Sequence, residues 1–540
     1  MKKLRYLLEG PFSINALIVI VAVYVALFAN TALFTNAFKV FHSRTEEILF
    51  AASLLPFIIA TFVLVLSALC HRTAAKPVLI AFLLVSSVVA YFMNEYGVIV
   101  DDDMLINAIE TDAREVRDLL NLQLVLYVLL LGVLPSLFVY RAKLNIPAPR
   151  SALMFRLRLV SASIAVAAGV FFSFSGHYTS MFREHDEIWY RVNPVYAFYS
   201  AGRLINDSTT FAALPHLIVG ANAEIPGSDA HRELVIMVIG ETARADHFSL
   251  NGYGRETNPR LRKEGVVNFP DFWSCGTSTA QSVPCIFSHY TRSEFSTEKA
   301  EAADNALDVL KRTGVSILWR ENNSSSKHVA DRVEYETYFT NKTNPVCDVE
   351  CRDEGMLIGL QAYIDSHPSR DLLIVLHQMG NHGPAYYKRY PPAFEKFTPA
   401  CKTNDLGACS TEEIVNAYDN AILYTDFFLS KVIELLKRND GEFETSMLYV
   451  SDHGESLGEN GLYLHGLPYF LAPDAQKHVP FVMWVWRNFD RQSLTNIQRK
   501  RKERLSHDNI FSTLLGLFEI QTAAYDPKMD ILDHTPPEIY

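Results

Sequence analysis

The chain has 540 residues and a formal net charge of −11, and it is too long for one ordinary hydrophobic core. Lysine and arginine outnumber aspartate and glutamate in residues 1–175, by 14 to 11, so the acidic excess lies in the remainder. An acidic chain of this kind offers no basic patch or stripe for DNA or RNA, and we expect no nucleic-acid partner.

Five apolar stretches fill the first third of the sequence, each long enough, or nearly so, to span a bilayer. They cover approximately residues 13–35, 48–70, 77–94, 122–140 and 157–175. Lys2, Lys3 and Arg5 precede the first stretch as they would in a signal peptide. Because this apolar run is too long for one and further stretches follow, we predict a retained anchor and a five-helix transmembrane domain over residues 1–175.

Basic residues between the stretches set the predicted topology. Arg72 and Lys76 lie between the second and third stretches, and five more basic residues lie between the fourth and fifth. By the positive-inside rule, both loops and the basic N-terminus are cytoplasmic. Asp101, Asp102 and Asp103 fall on the opposite side, and the odd number of spans puts everything after residue 175 outside the cytoplasm.

Six of the seven cysteines occur as three close pairs in the polar part of the chain, whereas Cys70 lies in an apolar stretch. The paired cysteines are Cys275 and Cys285, Cys347 and Cys351, and Cys401 and Cys409. An even number at short spacing favours disulfides and an oxidising compartment, in agreement with the topology. Zinc-binding thiolates are the alternative, although the C-x-x-C spacing and surrounding histidines typical of such sites are missing.

Residues 176–230 mix aromatic clusters, such as Tyr196, Phe198 and Tyr199, with a polar stretch that ends in Pro-Gly-Ser-Asp. This pattern predicts an amphipathic helix at the membrane surface followed by a linker, with a plain solvated connector as the alternative.

From residue 231 onward the pattern becomes α/β. Continuous apolar runs predict strands at 234–240, 315–319, 372–377, 447–451 and 479–486. Helical patterns lie between them at 300–313, 354–366 and 411–437. Buried strands that alternate with helices indicate a parallel sheet covered on both faces. We therefore predict a separate extracytoplasmic domain over residues 231–540.

The loop of residues 275–285 places three hydroxyl side chains, those of Thr277, Ser278 and Thr279, between two cysteines. An alcohol is a poor nucleophile near neutral pH and needs a base or a metal to activate it. Taken alone, the loop fits a surface loop closed by a disulfide, with its hydroxyls facing water. The side chains that follow the strands favour the catalytic interpretation.

Carboxylates and a histidine follow two of the predicted strands directly. Glu241 comes after the first strand, and Asp452 and His453 end the fourth before a glycine-rich turn. Helix capping is the alternative role for Glu241, and a structural turn is the alternative for the Asp-His pair. Polar groups at the carboxyl ends of such strands meet at one edge of the sheet. Zinc held by these three residues and a threonine oxygen would create a nucleophile at neutral pH.

Three further basic side chains lie in loops near the same predicted edge. His382 sits between glycines after the third strand, His465 returns one loop after His453, and Lys327 ends a serine-rich loop. Positive or hydrogen-bonding groups at these positions would stabilise an anionic, phosphate-like transition state. His377 is expected inside or at the end of the sheet instead.

Several long motifs resemble those of the lipid A phosphoethanolamine transferases, which include enzymes that confer resistance to polymyxins such as colistin. The resemblance extends over nearly the whole chain. The motifs are GETARADHFSLNGYGRETNPRL, CGTSTAQSVPC, SILWRENNSSSK, LHQMGNHGPAYYKRY and SDHGESLGENGLYLHGLPY. The resemblance implies five membrane spans and an alkaline phosphatase/sulfatase fold for the soluble domain.

The resemblance also implies roles for individual residues. Thr279 would be the nucleophile and would complete a zinc site with Glu241, Asp452 and His453, and a second zinc stays open. His382 and His465 are implied to contact the phosphoethanolamine group or a second zinc. Residues implied to lie near the substrate are Asn323 and Lys327, together with Asn107, Thr111 and Glu115 in the loop after the third span. The implied disulfides are Cys275–Cys285, Cys347–Cys351 and Cys401–Cys409.

The implied reaction has two steps. Thr279 takes phosphoethanolamine from phosphatidylethanolamine, and a lipid A phosphate then takes it from Thr279. The implied location is the inner membrane of a Gram-negative cell, in contact with its lipids, with the catalytic domain in the periplasm; the expected state is a monomer.

Three other functions compete with this interpretation. The same chemistry on a core sugar of lipopolysaccharide, or with a phosphoglycerol headgroup, is the nearest. A membrane-anchored phosphodiesterase that uses water as acceptor is the second; a sulfatase is disfavoured because Ser-Val-Pro-Cys-Ile lacks the arginine of the formylglycine motif. The third is a catalytically silent protein that senses or binds lipid, which the intact Glu241, Thr279, Asp452 and His453 disfavour.

Overall fold

The computed structural model describes residues 11–111, 113–145, 147–211, 215–226, 231–486, 489 and 491–532. The chain divides into two compact units. The first combines Met1–Leu105 with Leu120–Leu204, and the second combines Ile106–Leu119 with Ile205–Tyr540. The domain limits drawn from the sequence pattern, 1–175, 176–230 and 231–540, are a different partition and stay a prediction.

The first unit is built from long apolar helices. They are Ile14–Phe28, Thr31–Val40, Thr45–Leu69, Ala75–Glu95, Leu122–Arg141 (with a π-helical turn at Val128–Val133) and Pro149–Ser173. In the described part of the chain, four helices are long and apolar enough to cross a membrane. The number is up to five if the first two, which are bent by 54° at a short break, form one span. The predicted count of five therefore stays a prediction.

The break between the first two helices is held by two buried asparagines. The side chain of Asn193 donates to the carbonyl oxygens of Ala29 (2.7 Å) and Ser86 (2.8 Å), and the side chain of Asn30 donates to Asn193 O (2.9 Å). A broken helix leaves carbonyl groups without intrahelical donors, and in an apolar environment these groups need other partners. The asparagines supply such partners.

Shorter helices follow the last long one. They are Ser175–Glu184, Asp186–Trp189 and Val195–Phe211, and two more, Asp102–Glu110 and Ala113–Leu119, occupy the segment after Ala75–Glu95. The helix predicted in 176–230 is thus present as several pieces, and its position at a membrane surface stays a prediction.

A seven-stranded sheet forms the centre of the second unit. Its strands are β1 (Glu233–Gly240), β2 (Val267–Phe269), β3 (Ser316–Glu321), β4 (Glu334–Thr337), β5 (Leu372–His377), β6 (Glu444–Ser451) and β7 (Phe481–Val485). The order across the sheet is β2-β7-β6-β1-β5-β3-β4, with β6, β1, β5, β3 and β4 parallel. All residues of β1 and β5 are buried, as expected for parallel strands covered on both faces.

The last strand departs from the predicted parallel arrangement. Strand β7 runs antiparallel to both of its neighbours, β6 and β2. A parallel pair needs a crossover connection, usually a helix, whereas β6 and β7 are joined by a segment in which only short strands and 3-10 turns are described. Without a crossover helix the chain returns in the opposite direction.

The helices that cover this sheet follow the sequence pattern with two breaks. The predicted 411–437 helix is Thr411–Asn439, whose N-cap Ser410 forms a capping box with Glu413. The predicted 300–313 and 354–366 helices are each divided in two. The pieces are Thr297–Glu301, Ala306–Arg312, the 3-10 turn Asp353–Leu357 and Leu360–Asp365.

Both breaks have local causes. Asn305 caps a new helix start by accepting from Leu307 N and receives support from Asp308, so the chain restarts there. Gly359 adopts a left-handed conformation (φ 78°) that a continuous helix does not allow. The remaining described helices of this unit are Pro259–Glu264, Thr279–Phe287, Arg491–Lys500 and Ile510–Leu517.

All three implied disulfides are present in the second unit, at Cys275–Cys285, Cys347–Cys351 and Cys401–Cys409. Cys70 is a free, buried thiol in the first unit. The alternative of zinc-binding thiolates is therefore excluded for these three pairs.

Candidate metal centre and active site

The candidate site lies at the carboxyl edge of the sheet, where β1 and β6 end side by side. Gly240 is paired with Ser451 in the parallel register, so Glu241 and Asp452, the next residues, emerge next to each other. Thr279 is the first residue of the helix Thr279–Phe287, which begins at the same edge. The sheet register and one helix start therefore bring together residues more than 170 positions apart.

Four side chains converge on one point. Thr279 Oγ1 lies 3.1 Å from Glu241 Oε2 and 3.3 Å from His453 Nε2. His453 Nε2 lies 3.5 Å from Glu241 Oε1 and 3.3 Å from Asp452 Oδ2. The ligand atoms of Glu241, Asp452 and His453 all fall within 4.8 Å of one another, and the three side chains are fully buried. The structure thus assembles the predicted ligand set.

This donor set fits a divalent cation. Glu241 Oε1 and Asp452 Oδ2 are buried and have no hydrogen-bond partner among the residues that the structure describes. Burial, and next the negative charge of Asp452, raise the pKa of Glu241 well above its usual value. Two adjacent buried carboxylates are costly without a counter-charge, and a cation between them would provide it. Oxygen and imidazole nitrogen donors suit zinc.

His453 has the tautomer that a metal ligand requires. Its Nδ1 lies 2.9 Å from Gly454 O, and because a carbonyl only accepts, Nδ1 carries the hydrogen and Nε2 keeps a lone pair. Gly454 is glycine because a Cβ there would lie 2.0 Å from Ala475 O. The Asp-His-Gly sequence therefore fits both the ligand orientation and the tight turn.

The hydroxyl of Thr279 is singled out from its neighbours by its contacts. Thr277 Oγ1 donates to Leu467 O at 2.6 Å, so its hydroxyl is already bonded to a segment far along the chain. Ser278 is the N-cap of the helix, but its side chain makes no capping bond. Thr279 is at the first helical position, where the partial positive charge of the helix N-terminus favours an alkoxide.

Two histidines extend the site away from the cation ligands. The rings of His453 and His465 are 4.2 Å apart between centroids, and those of His465 and His382 are 6.0 Å apart. His465 Nδ1 lies 2.7 Å from Glu455 Oε2, and His382 Nδ1 donates to Gly383 O at 2.8 Å. The structure therefore places His465 next to His453, and His382 next to His465.

The surroundings of the two histidines shift their pKa values in opposite directions. Burial, with the charge of Arg389 second, lowers the pKa of His382 well below its usual value. Burial also opposes protonation of His465, but the charge of Glu455 and its hydrogen bond outweigh it and raise the pKa. At neutral pH His382 is neutral, and His465 holds a proton more readily than an ordinary imidazole. Two histidines whose pKa values are shifted apart in this way can act one as an acid and the other as a base.

Glu455 is a functional candidate that sequence reasoning missed. It is fully buried, and Tyr386 donates its hydroxyl to Glu455 Oε1 at 2.6 Å while Oε2 holds His465. The available signal was its position two residues after His453. In sequence, however, a glutamate followed by serine is equally typical of a solvated turn and of a functional site.

Two glycines of the Gly-Asn-His-Gly segment allow the close approach of these groups. Gly380 has φ 51°, and a Cβ there would lie 2.9 Å from Glu241 N. A Cβ at Gly383 would lie 2.6 Å from Glu455 Oε1. Gly380 therefore needs glycine, because of its left-handed φ and the nearby backbone of Glu241, whereas a Cβ at Gly383 would displace side chains of the site.

Asn323 holds Glu241 in place. Its side-chain amide donates to Glu241 Oε2 at 2.6 Å and to Gln378 O at 3.0 Å, and its own N–H donates to Glu321 Oε1 at 2.7 Å. Glu321 also accepts from His377, which is fully buried at the end of β5, as expected. Glu321 was not singled out in the sequence because a charged residue at the end of a strand gives no sign of burial.

The segment between the helices Ala75–Glu95 and Leu122–Arg141 contributes the remaining predicted residues within the second unit. Glu115 Oε1 lies 3.8 Å from His382 Nε2, and Glu110 Oε2 lies 3.0 Å from Lys327 Nζ. Thr111 Oγ1 donates to Asn107 O at 2.6 Å. Glu115 is thus beside the histidines, while Lys327 is paired with Glu110. Among the described contacts, Asn107 and Thr111 are linked to each other and not to Thr279.

Comparisons with known proteins found two matching family models and several similar relatives. A family model described as Sulfatase matches residues 233–520, and one described as Phosphoethanolamine transferase EptA/EptB matches residues 58–209. Phosphatidylethanolamine transferase Mcr-2 of Escherichia coli is 41% identical, over 94% of this chain and 96% of its own length. Phosphatidylethanolamine transferase Mcr-1 of the same species is 46% identical, over 83% of this chain and 84% of its own length.

A solved structure is similar over nearly the whole chain. The integral membrane protein lipooligosaccharide phosphoethanolamine transferase A (EptA) from Neisseria meningitidis is similar with a TM-score of 0.92 and 34% identity. The match covers 96% of this chain and 98% of that chain. It confirms the predicted fold class as a membrane-spanning part combined with a sulfatase-like α/β part, and it confirms the resemblance seen in the motifs.

Proposed function

The chain belongs to the phosphoethanolamine transferases of the EptA/EptB family, and from this we propose that it moves phosphoethanolamine from phosphatidylethanolamine to a phosphate of lipid A through Thr279. The observation that carries the proposal is the contact of Thr279 Oγ1 with both Glu241 and His453 at the start of a helix. In the loop of residues 275–285, Thr279 is the residue whose hydroxyl contacts these two candidate ligands. A hydroxyl in this position is suited to carry a covalently bound group from one lipid substrate to the other.

In the first step Thr279 Oγ1 attacks the phosphorus of phosphatidylethanolamine. A bond between Oγ1 and phosphorus forms, the bond from phosphorus to the glycerol oxygen breaks, and diacylglycerol leaves. Its oxygen needs a proton, and His465, whose pKa is raised by Glu455, is the group suited to supply it. The proton that Thr279 loses is released to solvent and restores, by exchange, the one that His465 gives up, so the step balances.

In the second step an oxygen of the lipid A phosphate attacks the same phosphorus. The bond from phosphorus to Thr279 Oγ1 breaks, and Thr279 regains a proton. His382 is neutral because burial lowers its pKa, so it is suited to accept the proton of the incoming phosphate. The histidine pair thus gives each step a proton donor or acceptor.

Glu241, Asp452, His453 and Thr279 would hold one Zn²⁺ ion, which when bound lowers the pKa of the threonine hydroxyl and offsets the charge of the phosphoryl oxygens. The unpartnered oxygens of Glu241 and Asp452 support this assignment. His453, Glu455 and His465 form a second group of possible ligands, and a cation held there would take the place of the proton on His465.

The proposed location follows from the donor and the helices. Phosphatidylethanolamine is a membrane lipid, and the described helices include four or five that can span a bilayer. We place the chain in the inner membrane of a Gram-negative cell, with the second unit in the periplasm, where three disulfides are stable. Modified lipid A carries less negative charge, so resistance to cationic polymyxins, including colistin, is the expected phenotype.

Mass spectrometry of lipid A tests the proposal. The wild-type chain and Thr279→Ala are expressed in a Gram-negative host, and their amounts in the membrane fraction are compared by immunoblot. We expect lipid A with one or two added phosphoethanolamine groups only with the wild type. Unmodified lipid A from a well-expressed wild type would contradict the acceptor; core sugars and free diacylglycerol would then be analysed in the same cells.

A further inference from the structure

A cavity borders the candidate site within the second unit. Its volume is about 390 Å³, in the range of pockets that hold small ligands. One wall is the helix Ala113–Leu119, and another is the loop closed by the disulfide Cys347–Cys351. Glu115 lines the cavity and also lies 3.8 Å from His382, so the cavity reaches the histidine side of the site.

Two arginines on one face of this helix line the cavity. Arg114 and Arg117 are three positions apart, a spacing that puts side chains on the same side of a helix. The Arg114 guanidinium donates to Asn323 O and lies 4.5 Å from the centre of the Phe339 ring. Asn323 in turn holds Glu241. One guanidinium is therefore fixed between the cavity and the residues around Thr279.

Most of the other charges on the cavity wall neutralise one another. Asp118 accepts from Lys388 and from Arg389, the latter at 2.6 Å, and Glu350 is paired with Arg389. The side chains of Asp118 and Arg389 are buried, so this cluster is part of the framework that attaches the helix.

Arg117 is the exception among these cations. Its side chain is exposed, and it has no charged partner among the residues that the structure describes. A guanidinium that faces a cavity with its donors unused is suited to an oxyanion, because its planar fork matches phosphate oxygens.

The geometry points to this cavity as the subsite for the acceptor, a phosphate group on a sugar headgroup, held by Arg114 and Arg117. The assignment rests on the proposed function and adds to it the place where the second substrate is recognised. The donor headgroup is a zwitterion, whereas the acceptor is an anion, and a cavity with two guanidiniums on one face distinguishes them by charge. The volume exceeds that of a single ion and leaves room for the sugar.

The test separates the two half-reactions in the purified full chain. Vesicles of phosphatidylethanolamine without acceptor measure the single turnover of diacylglycerol release, and added lipid A then measures transfer and its KM for the acceptor. The variants are Arg117→Gln, Arg117→Lys and Arg114→Gln. Arg438→Gln is the matched control, because it removes the same charge from an exposed position at the end of Thr411–Asn439.

We expect Arg117→Gln to raise the KM for lipid A about tenfold, the loss typical of one charge-assisted hydrogen-bonded contact, with a much smaller effect on diacylglycerol release. Arg117→Lys should recover part of the loss, and Arg114→Gln should affect both half-reactions because Arg114 also contacts Asn323.

An Arg117→Gln variant with the acceptor KM of Arg438→Gln would overturn the assignment of the cavity. Equal losses in diacylglycerol release and in transfer would also overturn it, since they would indicate a general disturbance. A wild type that releases no diacylglycerol would instead contradict the proposed function, so the two failures are distinguishable.

Discussion

At the residue scale, the side-chain contacts distinguish one hydroxyl from its two neighbours. Thr277 donates to Leu467 O, and Ser278 is the N-cap of the helix, while Thr279 contacts two of the metal-ligand candidates. We expect Thr279→Ala to lose transfer by a factor on the order of a thousand, because the nucleophile is removed.

Matched variants separate chemistry from folding in that experiment. Thr279→Ser keeps the hydroxyl and should retain part of the activity, whereas Ser278→Ala should retain most of it. Transfer of a fluorescent phosphatidylethanolamine headgroup, measured at equal protein amounts, checks these expectations. Substantial transfer by Thr279→Ala would rule out Thr279 as the nucleophile.

The metal assignment predicts a change in composition as well as in activity. Glu241→Gln and Asp452→Asn each replace a carboxylate by an amide, which weakens a zinc site. Elemental analysis of the purified proteins should find about one zinc per wild-type chain and clearly less in both variants. Asp474→Asn, at an exposed carboxylate, serves as the control. Wild-type zinc content in both variants would contradict the proposed ligands.

Glu455 is expected to act through His465, so its replacement should change a pH profile. In Glu455→Gln the charge that raises the pKa of His465 is gone. Activity that needs protonated His465 falls as pH rises through its pKa, and this fall should move to lower pH in the variant. The rate near neutral pH should drop about 10- to 100-fold, as for other residues that orient a site ligand. An unmoved profile would assign Glu455 a purely structural role.

Some of the site could be predicted at this scale, and some could not. Glu241, Asp452 and His453 directly follow apolar runs that predict buried strands, so their location at the sheet edge followed from the pattern. Glu321 and Glu455 occur in similar sequence surroundings. Their importance comes from burial and from partners far along the chain, which no local pattern reveals.

At the scale of elements, the ends of the strands position the site. The connections between strands set the strand directions, which the hydrophobic pattern does not predict. The direction of β7 follows from the missing crossover helix between Ser451 and Phe481, a tertiary property that strand hydrophobicity does not encode. The short strands β2 and β4 were not predicted because runs of three and four residues are too brief to show periodicity.

A buried histidine connects the nucleophile loop to the end of β6. His507 Nδ1 accepts from Cys275 N at 3.0 Å, and Nε2 donates to Ser451 O at 3.0 Å, so the ring is neutral in the folded chain. Burial lowers its pKa to about 4. A proton on Nδ1 would remove the acceptor of Cys275 N.

This arrangement predicts an acid-sensitive fold. The unfolded chain protonates His507 near pH 6.5, and the folded chain only near 4, so stability is complete above pH 6.5 and is lost as pH falls between these values. The loss should reach about 2 kcal/mol by pH 5. Thermal unfolding of the full chain in detergent should show a smaller decrease of Tm between pH 7 and 5 for His507→Asn than for the wild type. Equal decreases would contradict the assignment.

At the scale of the whole molecule, one segment of the catalytic unit comes from the first third of the sequence. Residues 106–119 lie between two membrane helices in sequence but belong to the second compact unit. Within that unit Asp118 is held by Lys388 and Arg389, and Glu115 lies next to His382. The motif resemblance predicted Glu115, whereas the buried anchor at Asp118 has no signal in sequence.

Because residues 106–119 belong to the catalytic unit but lie between membrane helices in sequence, the decisive test uses the full chain in lipid. The central claim is that Thr279 carries phosphoethanolamine between the two lipids. The measurement is peptide mass spectrometry of the full-length protein after incubation in phosphatidylethanolamine vesicles without acceptor, followed by a chase with lipid A.

We expect the peptide containing Thr279 to gain the mass of one phosphoethanolamine, with fragment ions that assign it to Thr279. The chase should remove this mass as modified lipid A appears. An unmodified Thr279 peptide from a preparation that actively transfers phosphoethanolamine, or a modification that the chase does not remove, would contradict this expectation.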